Sequence, residues 1–172
     1  MQTFITSPEK KLNHFEVILK IAAIKNQQIR MDAIGPLGSL VGSMLIDPKK
    51  AIFVDYQSKV AFGGEPNAQA MTKLIEVPID PKIFYALLFD EPIKSPDWEC
   101  QFDGSGFPVR CEQKKQGVLI EWKKMLAGTK VIELKNGTSE IEMNFRSFSE
   151  EIKNKSRRFK IKIPSSYKRY RL

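Results

Sequence analysis

The sequence predicts a mainly antiparallel β fold of the α+β class, in which two short helices accompany a sheet with one apolar face. Three observations predict it. Most of the chain alternates apolar and polar residues with the period of two that is typical of strands. Short segments rich in Gly, Pro, Asn and Asp separate the alternating stretches. Only residues 67–91 change to the apolar spacing of helices.

The first half of the chain predicts a series of strands joined by tight turns. The expected strands are residues 2–7, 15–21, 29–33, 41–46, 51–56 and 60–62. In the second of these, Phe15, Val17, Leu19 and Ile21 recur at a period of two with Glu16 and Lys20 between them, so one face is apolar. Residues 35–38, Gly-Pro-Leu-Gly, form a turn, since Pro presets one dihedral angle and Gly tolerates another.

The middle of the chain predicts two helices. Asn67 is a suitable N-cap for the first, whose apolar residues follow at helical spacing until Pro78. Asp80 is the expected N-cap of the second, with Pro81 in the first turn and Pro92 after the end.

Strands return in the second half. They are expected at residues 98–102, 109–112, 118–123, 130–134, 140–145 and 159–163. The pair Asn136 and Gly137 is the strongest hairpin signal in the chain. This order of elements implies an antiparallel sheet with the helices packed on one side or over one opening. At 172 residues the chain is expected to form a single domain, residues 1–172.

The two cysteines, Cys100 and Cys111, flank a turn at residues 103–107. Reflecting the chain about this turn places them opposite each other in a hairpin, close enough for a disulfide. A disulfide implies an oxidising compartment, and two buried free thiols are the alternative.

The net charge of +8 at pH 7 is concentrated late in the sequence. Residues 157–171 contain seven basic residues and no acidic residue: Arg157, Arg158, Lys160, Lys162, Lys168, Arg169 and Arg171. They suit an anionic membrane surface, at roughly 1 kcal/mol per residue. A solvated strand face with a frayed tail, or nucleic acid, is the alternative. No predicted strand interleaves several aromatic residues with basic ones to form a platform for bases, so no nucleic-acid partner is expected.

No residue pattern indicates catalysis, a metal or a cofactor, so a non-enzymatic protein is expected. The single histidine, His14, is interpreted as an ordinary surface residue, because one histidine and two cysteines lack zinc-site spacing. No Gly-x-Ser-x-Gly motif is present. The first eight residues do not form a signal peptide, and no apolar run is long enough to span a bilayer. A cytoplasmic protein, or one whose leader has been removed, is therefore expected.

Residues 28–92 carry a pattern that resembles the LolA/LolB lipoprotein-carrier superfamily. Residues 28–31, Gln-Ile-Arg-Met, lead into the Gly-Pro-Leu-Gly-Ser turn, and a hairpin and the first helix follow. Residues 75–81, Ile-Glu-Val-Pro-Ile-Asp-Pro, then lead to residues 84–92, Phe-Tyr-Ala-Leu-Leu-Phe-Asp-Glu-Pro. The chain is more similar to LolB, the outer-membrane lipoprotein receptor, whose sequences share this turn, helix, Pro-containing break and second helix. The remaining strands agree in number and order over most of the chain.

The resemblance implies an unclosed β-barrel whose concave apolar face lies under a two-helix lid. It implies a non-catalytic receptor or chaperone that binds the acyl chains of lipoproteins and delivers them to the outer membrane. The expected partner is a periplasmic lipoprotein carrier, and the expected state is a monomer at the periplasmic face of that membrane. The lipidated N-terminal cysteine of LolB is not present in the sequence, and residues 18–26 lack the Arg-Pro pair of LolA. A module for another hydrophobic ligand on the same fold is the alternative.

The strand faces and the resemblance together assign candidate site residues. The expected cavity lining is Phe15, Val17, Leu19, Ile29, Met31, Val118, Ile120 and Trp122. The expected lid residues are Ile75, Phe84, Leu87 and Leu88. For both groups, ordinary core packing is the alternative.

The turn of Pro36, Leu37 and Gly38 is the most specific part of the predicted site. A leucine in so tight a turn is expected to project into solvent, and the alternative is that it folds back onto the sheet edge. The resemblance implies that this leucine helps to deliver cargo into the membrane. The expected membrane-facing basic residues are Arg157, Arg158, Lys168, Arg169 and Arg171.

Overall fold

The computed structural model describes residues 2–6, 15–69, 71, 80–126, 129–137, 139–145, 149, 151–152 and 154–172. Strands are the main element, which confirms the mainly β class. In chain order they are β1 (Gln2–Thr6), β2 (Phe15–Ile24), β3 (Gln28–Ile34), β4 (Leu40–Ile46), β5 (Ala51–Asp55), β6 (Val60–Gly64), β7 (Glu99–Phe102), β8 (Pro108–Gln113), β9 (Val118–Leu126), β10 (Thr129–Asn136), β11 (Ser139–Phe145) and β12 (Lys168–Arg171). The helices with described bounds are α1 (Ile83–Phe89), α2 (Lys155–Arg158) and a 3₁₀ helix, Lys114–Gln116.

The chain divides into two compact units according to its internal contacts. Unit 1 comprises residues 1–16 and 83–148, and unit 2 comprises residues 17–82 and 149–172. Unit 1 therefore contains β1, α1 and β7–β11, whereas unit 2 contains nearly all of β2 together with β3–β6, α2 and β12.

In unit 2 the strands follow the order β12-β6-β5-β4-β3-β2. From β2 to β6, each strand pairs antiparallel with the next. On one face Ile29 lies opposite Ile46 and Met31 opposite Met44, and all four side chains are buried. This is the apolar face that the alternation along β3 predicts, because residues two apart share a face.

The last strand differs from the prediction. Residues 159–163 were expected to form it, and they alternate in burial but do not join the sheet. An extended segment lying over a sheet alternates in the same way as a paired strand, so a period of two does not distinguish them. The strand is instead β12, which pairs parallel with β6, and the backbone N–H of Lys168 donates to Lys59 O at 3.1 Å. The expectation of an antiparallel sheet is therefore wrong for this one pair.

In unit 1 the strand order is β1-β11-β10-β9-β8-β7, and the pairs are antiparallel. Leu134 lies opposite both Ile120 and Ile141, so an apolar row crosses three strands. A neighbouring row contains Trp122, Ile132 and Met143. These six side chains are buried and form the core of the unit.

The face of the unit 1 sheet opposite this core carries a row of alternating positive and negative side chains across β8–β11, called here the ladder. Its ion pairs are Arg110–Glu121, Lys123–Glu121, Lys123–Glu133, Lys135–Glu133 and Lys135–Glu140. Hydrogen bonds to Glu121 and Glu133 raise the pKa of Lys123. The least exposed side chain in the ladder is Glu133, at 17%, and the most exposed is Glu140, at 49%. The ladder is therefore a solvated face, as the polar alternation predicts.

The described parts of the two predicted helices begin where the sequence indicates. Ala68, Gln69 and Met71 are helical, and the Met71 N–H donates to Asn67 O at 3.2 Å. The second helix, α1, begins beyond Asp80, whose carboxylate accepts the Lys82 N–H at 2.8 Å. Both observations agree with the predicted N-caps.

Candidate functional site

Leu37 is the most exposed large apolar side chain among the described residues, with 97% of its surface accessible. Its turn is fixed by two backbone hydrogen bonds of 2.9 Å, from Gly35 N–H to Ser39 O and from Gly38 N–H to Gly35 O. Gly38 has φ +76°, a left-handed conformation that glycine adopts without strain. The turn therefore holds Leu37 away from the sheet, and the predicted projection into solvent is confirmed. Its role in membrane delivery stays a prediction.

Two further exposed apolar residues lie beside this turn. Ile34, at the end of β3, lies opposite Ile18 on β2 and Leu40 on β4. Ile18 is 45% exposed and Leu40 is 40% exposed. Because opposed residues share a sheet face, the three form a row across the end of unit 2. Leu37, Ile18 and Leu40 are called here the Leu37 tip.

The predicted cavity-lining residues are divided between the two units. Leu19, Ile29 and Met31 lie in unit 2, whereas Val118, Ile120 and Trp122 lie in unit 1. The side chains of Phe15 and Val17 lie outside the described residues.

Three of these residues, Ile29, Val118 and Ile120, have no accessible surface. A side chain that borders an open, water-sized space retains accessible surface, so these three are enclosed by other atoms of the protein. An acyl chain reaches them only when a neighbouring residue moves. Their role as cavity lining stays a prediction, and it requires such an opening.

Of the predicted lid residues, Phe84 and Leu87 are buried in α1, and Leu88 is partly buried. Ile75 lies outside the described residues. Ile83, Tyr85 and Ala86 are buried as well, so burial extends round α1 and is not confined to the predicted apolar stripe.

The attachment of α1 to the sheet was not predicted from the sequence, and it depends on Lys130. The Lys130 ammonium donates to Leu87 O at 2.8 Å, to Leu88 O at 3.1 Å and to the Asp90 carboxylate at 2.5 Å. It also lies 4.7 Å from the centre of the Phe145 ring. These carbonyls are at the C-terminal end of α1, where a cation is favourable. Lys130 thus fastens the end of the helix to β10.

The environment of Lys130 is unusual for a lysine, since only 8% of the residue is accessible. Burial lowers the pKa of Lys130, and this effect exceeds the opposite one of the Asp90 hydrogen bond and charge. Lys130 lies on the same face of β10 as the buried Ile132 and Leu134, and no local signal indicated that a cation would be buried there.

A second polar cluster, in unit 2, was also not predicted. The Arg30 guanidinium pairs with Asp32 at 2.8 Å, and the Ser43 hydroxyl donates to the same carboxylate oxygen at 2.6 Å. Arg30 also donates to the backbone O of Lys160 at 2.5 Å. The side chains of Arg30 and Asp32 are only 12% and 17% accessible, and Ser43 is 1% accessible. This cluster lies on the polar face of β3, which the alternation assigns to solvent. It is buried because the segment that includes Lys160 covers it.

The predicted basic residues lie on two elements of unit 2. Lys168, Arg169 and Arg171 lie along β12, and Arg157 and Arg158 lie on α2; all five are exposed. Only Lys168 begins its strand at the same end of unit 2 as the tip, since it is opposite Val60 at the start of β6.

Cys100 and Cys111 are opposite each other on β7 and β8 and form a disulfide, as the reflected hairpin predicts. His14 lies outside the described residues. Within the described part of the chain, no group of three or more His, Cys, Asp or Glu residues could hold a metal ion. None of the helices in that part of the chain has the length and apolarity to cross a bilayer.

Comparison with known proteins does not assign this chain to a family. No family model and no curated protein matches it. Among solved structures, an uncharacterized conserved protein from Thermus thermophilus is similar, with 10% identity over 99% of this chain and 89% of that chain, and a TM-score of 0.39. A score this low carries no argument about fold or function.

Proposed function

We propose that this protein binds the acyl chains of lipoproteins and delivers them to the outer membrane from its periplasmic face, without catalysing a reaction. The proposal depends on one observation: Leu37 is 97% exposed on a turn that backbone hydrogen bonds hold rigid. The resemblance of this turn and of the helix sequences after it to LolB connects the observation to lipoprotein delivery.

The energy of insertion suits a transient contact. Burying a leucine side chain in an apolar environment stabilises by about 2 kcal/mol. Ile18 and Leu40 are already about half covered, so the Leu37 tip supplies only a few such contributions. A contact of that size is reversible, unlike the insertion of a membrane-spanning helix. Reversible contact is what a protein needs when it releases cargo and then leaves.

The container for the cargo is the less direct part of the proposal. Each acyl methylene hidden from water is worth about 0.8 kcal/mol, so a long chain needs an apolar enclosure to cross an aqueous space. The apolar sheet face of unit 1, with α1 fastened by Lys130, is a suitable wall. The unclosed barrel and two-helix lid of the resembling family are the arrangement we propose for it.

A transfer assay tests the proposed function. The protein is loaded with a fluorescent diacylated lipopeptide and mixed with phospholipid vesicles, and transfer is followed by fluorescence. We expect Leu37→Glu to bind the lipopeptide as the wild type does but to transfer it at least about tenfold more slowly, because a buried carboxylate is strongly unfavourable in the bilayer.

Phe102→Glu is the matched control, since Phe102 is also an exposed apolar residue, 49% accessible, but lies in unit 1. It should transfer at the wild-type rate. Wild-type transfer by Leu37→Glu would reject the delivery role. Mass spectrometry of co-purified material that finds free lipid and no acylated protein would favour the alternative, a lipid-binding module without lipoprotein cargo.

A further inference from the structure

The end of unit 2 that carries the Leu37 tip also carries a second turn that the sequence did not connect with it. Strands β3 and β5 run in the same direction, because each pairs antiparallel with β4. The turns that follow them, at residues 35–39 and 56–59, are therefore at the same end of the sheet. A backbone hydrogen bond links the second turn to the strand that follows the first, since the Tyr56 N–H donates to the O of Val41 in β4 at 3.1 Å.

Two lysines meet at this second turn. Lys59 closes it with φ 55°, and Lys168 begins β12 next to it, with its N–H bonded to Lys59 O at 3.1 Å. Both residues are exposed, and no acidic side chain pairs with either among the residues that the structure describes. Asp55, which precedes the turn, uses one carboxylate oxygen to accept the N–H groups of Gln57 and Ser58, at 2.8 and 3.0 Å.

Two tyrosines lie at the base of the same turn. Tyr56 and Tyr167 contact each other edge to face, with ring centres 6.2 Å apart, and both are partly exposed. Tyrosine is enriched at the boundary between membrane and water, because its ring is apolar and its hydroxyl is polar. Apolar, aromatic and cationic side chains thus converge at one end of the unit.

We propose that this end of unit 2 docks on an anionic lipid bilayer, with Lys59 and Lys168 against the headgroup phosphates while Leu37 enters the acyl region. The inference rests on the proposed function and specifies its membrane partner. Each lysine near such a surface strengthens the partition coefficient by roughly fivefold. The pair therefore accounts for a preference of about thirtyfold for anionic over neutral membranes.

An anionic bilayer fits this end better than an acidic protein or a nucleic acid. Two cations neutralise too few phosphates for appreciable affinity for nucleic acid. A polar partner of either class also gives no reason for a leucine that is 97% exposed at the same end of the sheet. Only a membrane supplies both an anionic layer and an apolar layer beneath it.

Vesicle sedimentation tests the inference with the full chain. Partition is measured on phosphatidylcholine vesicles and on vesicles that also contain phosphatidylglycerol, at low and high salt. The wild type should bind the anionic vesicles more than tenfold more tightly at low salt, and high salt should reduce this preference. Lys59→Asn with Lys168→Gln should remove most of the preference and leave binding to neutral vesicles unchanged. Asn is chosen at position 59 because it tolerates a positive φ.

Lys49→Gln with Lys50→Gln removes the same charge from the exposed turn between β4 and β5, at the opposite end of unit 2, and should keep the preference. Equal wild-type binding to both vesicle types, or an unchanged preference in the Lys59/Lys168 variant, overturns the inference and leaves the proposed function standing. Binding to neither vesicle type would instead overturn membrane delivery itself. An acidic peptide or an oligonucleotide that binds the wild type and loses affinity in the lysine variant would also overturn the inference.

Discussion

The strands of both units alternate apolar and polar residues, but the ion pairs on their polar faces differ in how far solvent reaches them. In unit 1, the ladder pairs cations and carboxylates across neighbouring strands in solvent, and its lysines Lys123 and Lys135 are 46% and 39% accessible. In unit 2, Arg30 and Asp32 occupy equivalent alternate positions on β3. The cation is covered there: Arg30 is only 12% accessible, whereas Asp32 equals Glu133 of the ladder at 17%. The residue types are similar, and the covering segment around Lys160 makes the difference.

The contribution of an ion pair to the free energy of unfolding depends on how far water reaches the pair. Exposed pairs typically contribute between zero and about 1 kcal/mol, because water solvates both partners when they separate. A covered pair cannot exchange its partner for water, so removal of one member leaves an uncompensated charge. The same geometry is therefore a surface feature in unit 1 and a structural requirement in unit 2.

The largest effect is expected from breaking the covered pair. Arg30→Met leaves the Asp32 carboxylate without its cation and Lys160 O without its donor, so the free energy of unfolding should fall by about 3 kcal/mol. Urea denaturation followed by circular dichroism measures it. The double variant Arg30→Met, Asp32→Leu should recover more than half of the loss, because replacing both charges removes the uncompensated one. A single-variant loss below about 1 kcal/mol would make Arg30 equivalent to an exposed pair and remove the contrast.

A smaller effect is expected at Lys130, the covered charge of unit 1. Lys130→Met keeps the apolar stem but removes the hydrogen bonds to Leu87 and Leu88, and we expect a loss of about 2 kcal/mol at neutral pH. Hydrogen exchange of the α1 amides should accelerate most. Uniform acceleration across unit 1 would contradict a local fastening of the helix.

The pH dependence of the free energy of unfolding gives a second test of the buried Lys130. Its folded-state pKa is lowered from 10.5 by burial, so above that folded-state pKa the unfolded chain binds more protons than the native one. The contribution of Lys130 to stability therefore rises with pH until the pH reaches about 10.5. The difference between wild type and Lys130→Met should grow over this alkaline range, and a difference that shrinks there would contradict the burial.

The smallest effect is expected in the ladder. Partial burial favours neutral Glu133, but hydrogen bonds from Lys135 and Lys123 outweigh it and hold the pKa of Glu133 below 4.5. The group stabilises the native state above pH 4.5, and this contribution is lost as the pH falls through the folded-state pKa. Glu133→Gln should therefore cost less than about 1 kcal/mol at pH 7 and almost nothing in strong acid. A loss as large as that of Arg30→Met would show that exposure does not explain the contrast.

Local sequence signals predicted the parts of the molecule that neighbouring residues determine. The Gly-Pro-Leu-Gly turn predicted that Leu37 projects into solvent, and Asp80 followed by Pro81 predicted the start of α1. The hairpin at residues 103–107 predicted the disulfide, because a turn fixes the register of the two strands that it joins. Each of these features depends on fewer than about a dozen consecutive residues, so the chain itself contains the information.

The tertiary structure alone decided which faces are covered and which turns are neighbours. Lys130 is buried because α1 ends above it, and Arg30 is covered because a segment 130 positions further along the chain crosses its sheet. The prediction of the last strand failed for the same reason. Strand β12 pairs with β6, which lies about a hundred residues away in sequence, and alternation within a segment does not show which strand it pairs with. Local patterns were therefore enough to predict the strands other than β12, the turns and the exposed leucine. Packing between distant segments determined where charge is buried and which lysines share the end of the sheet with that leucine. Periodicity reports which side of a strand is apolar, but only contacts between segments far apart in the chain determine what covers each side.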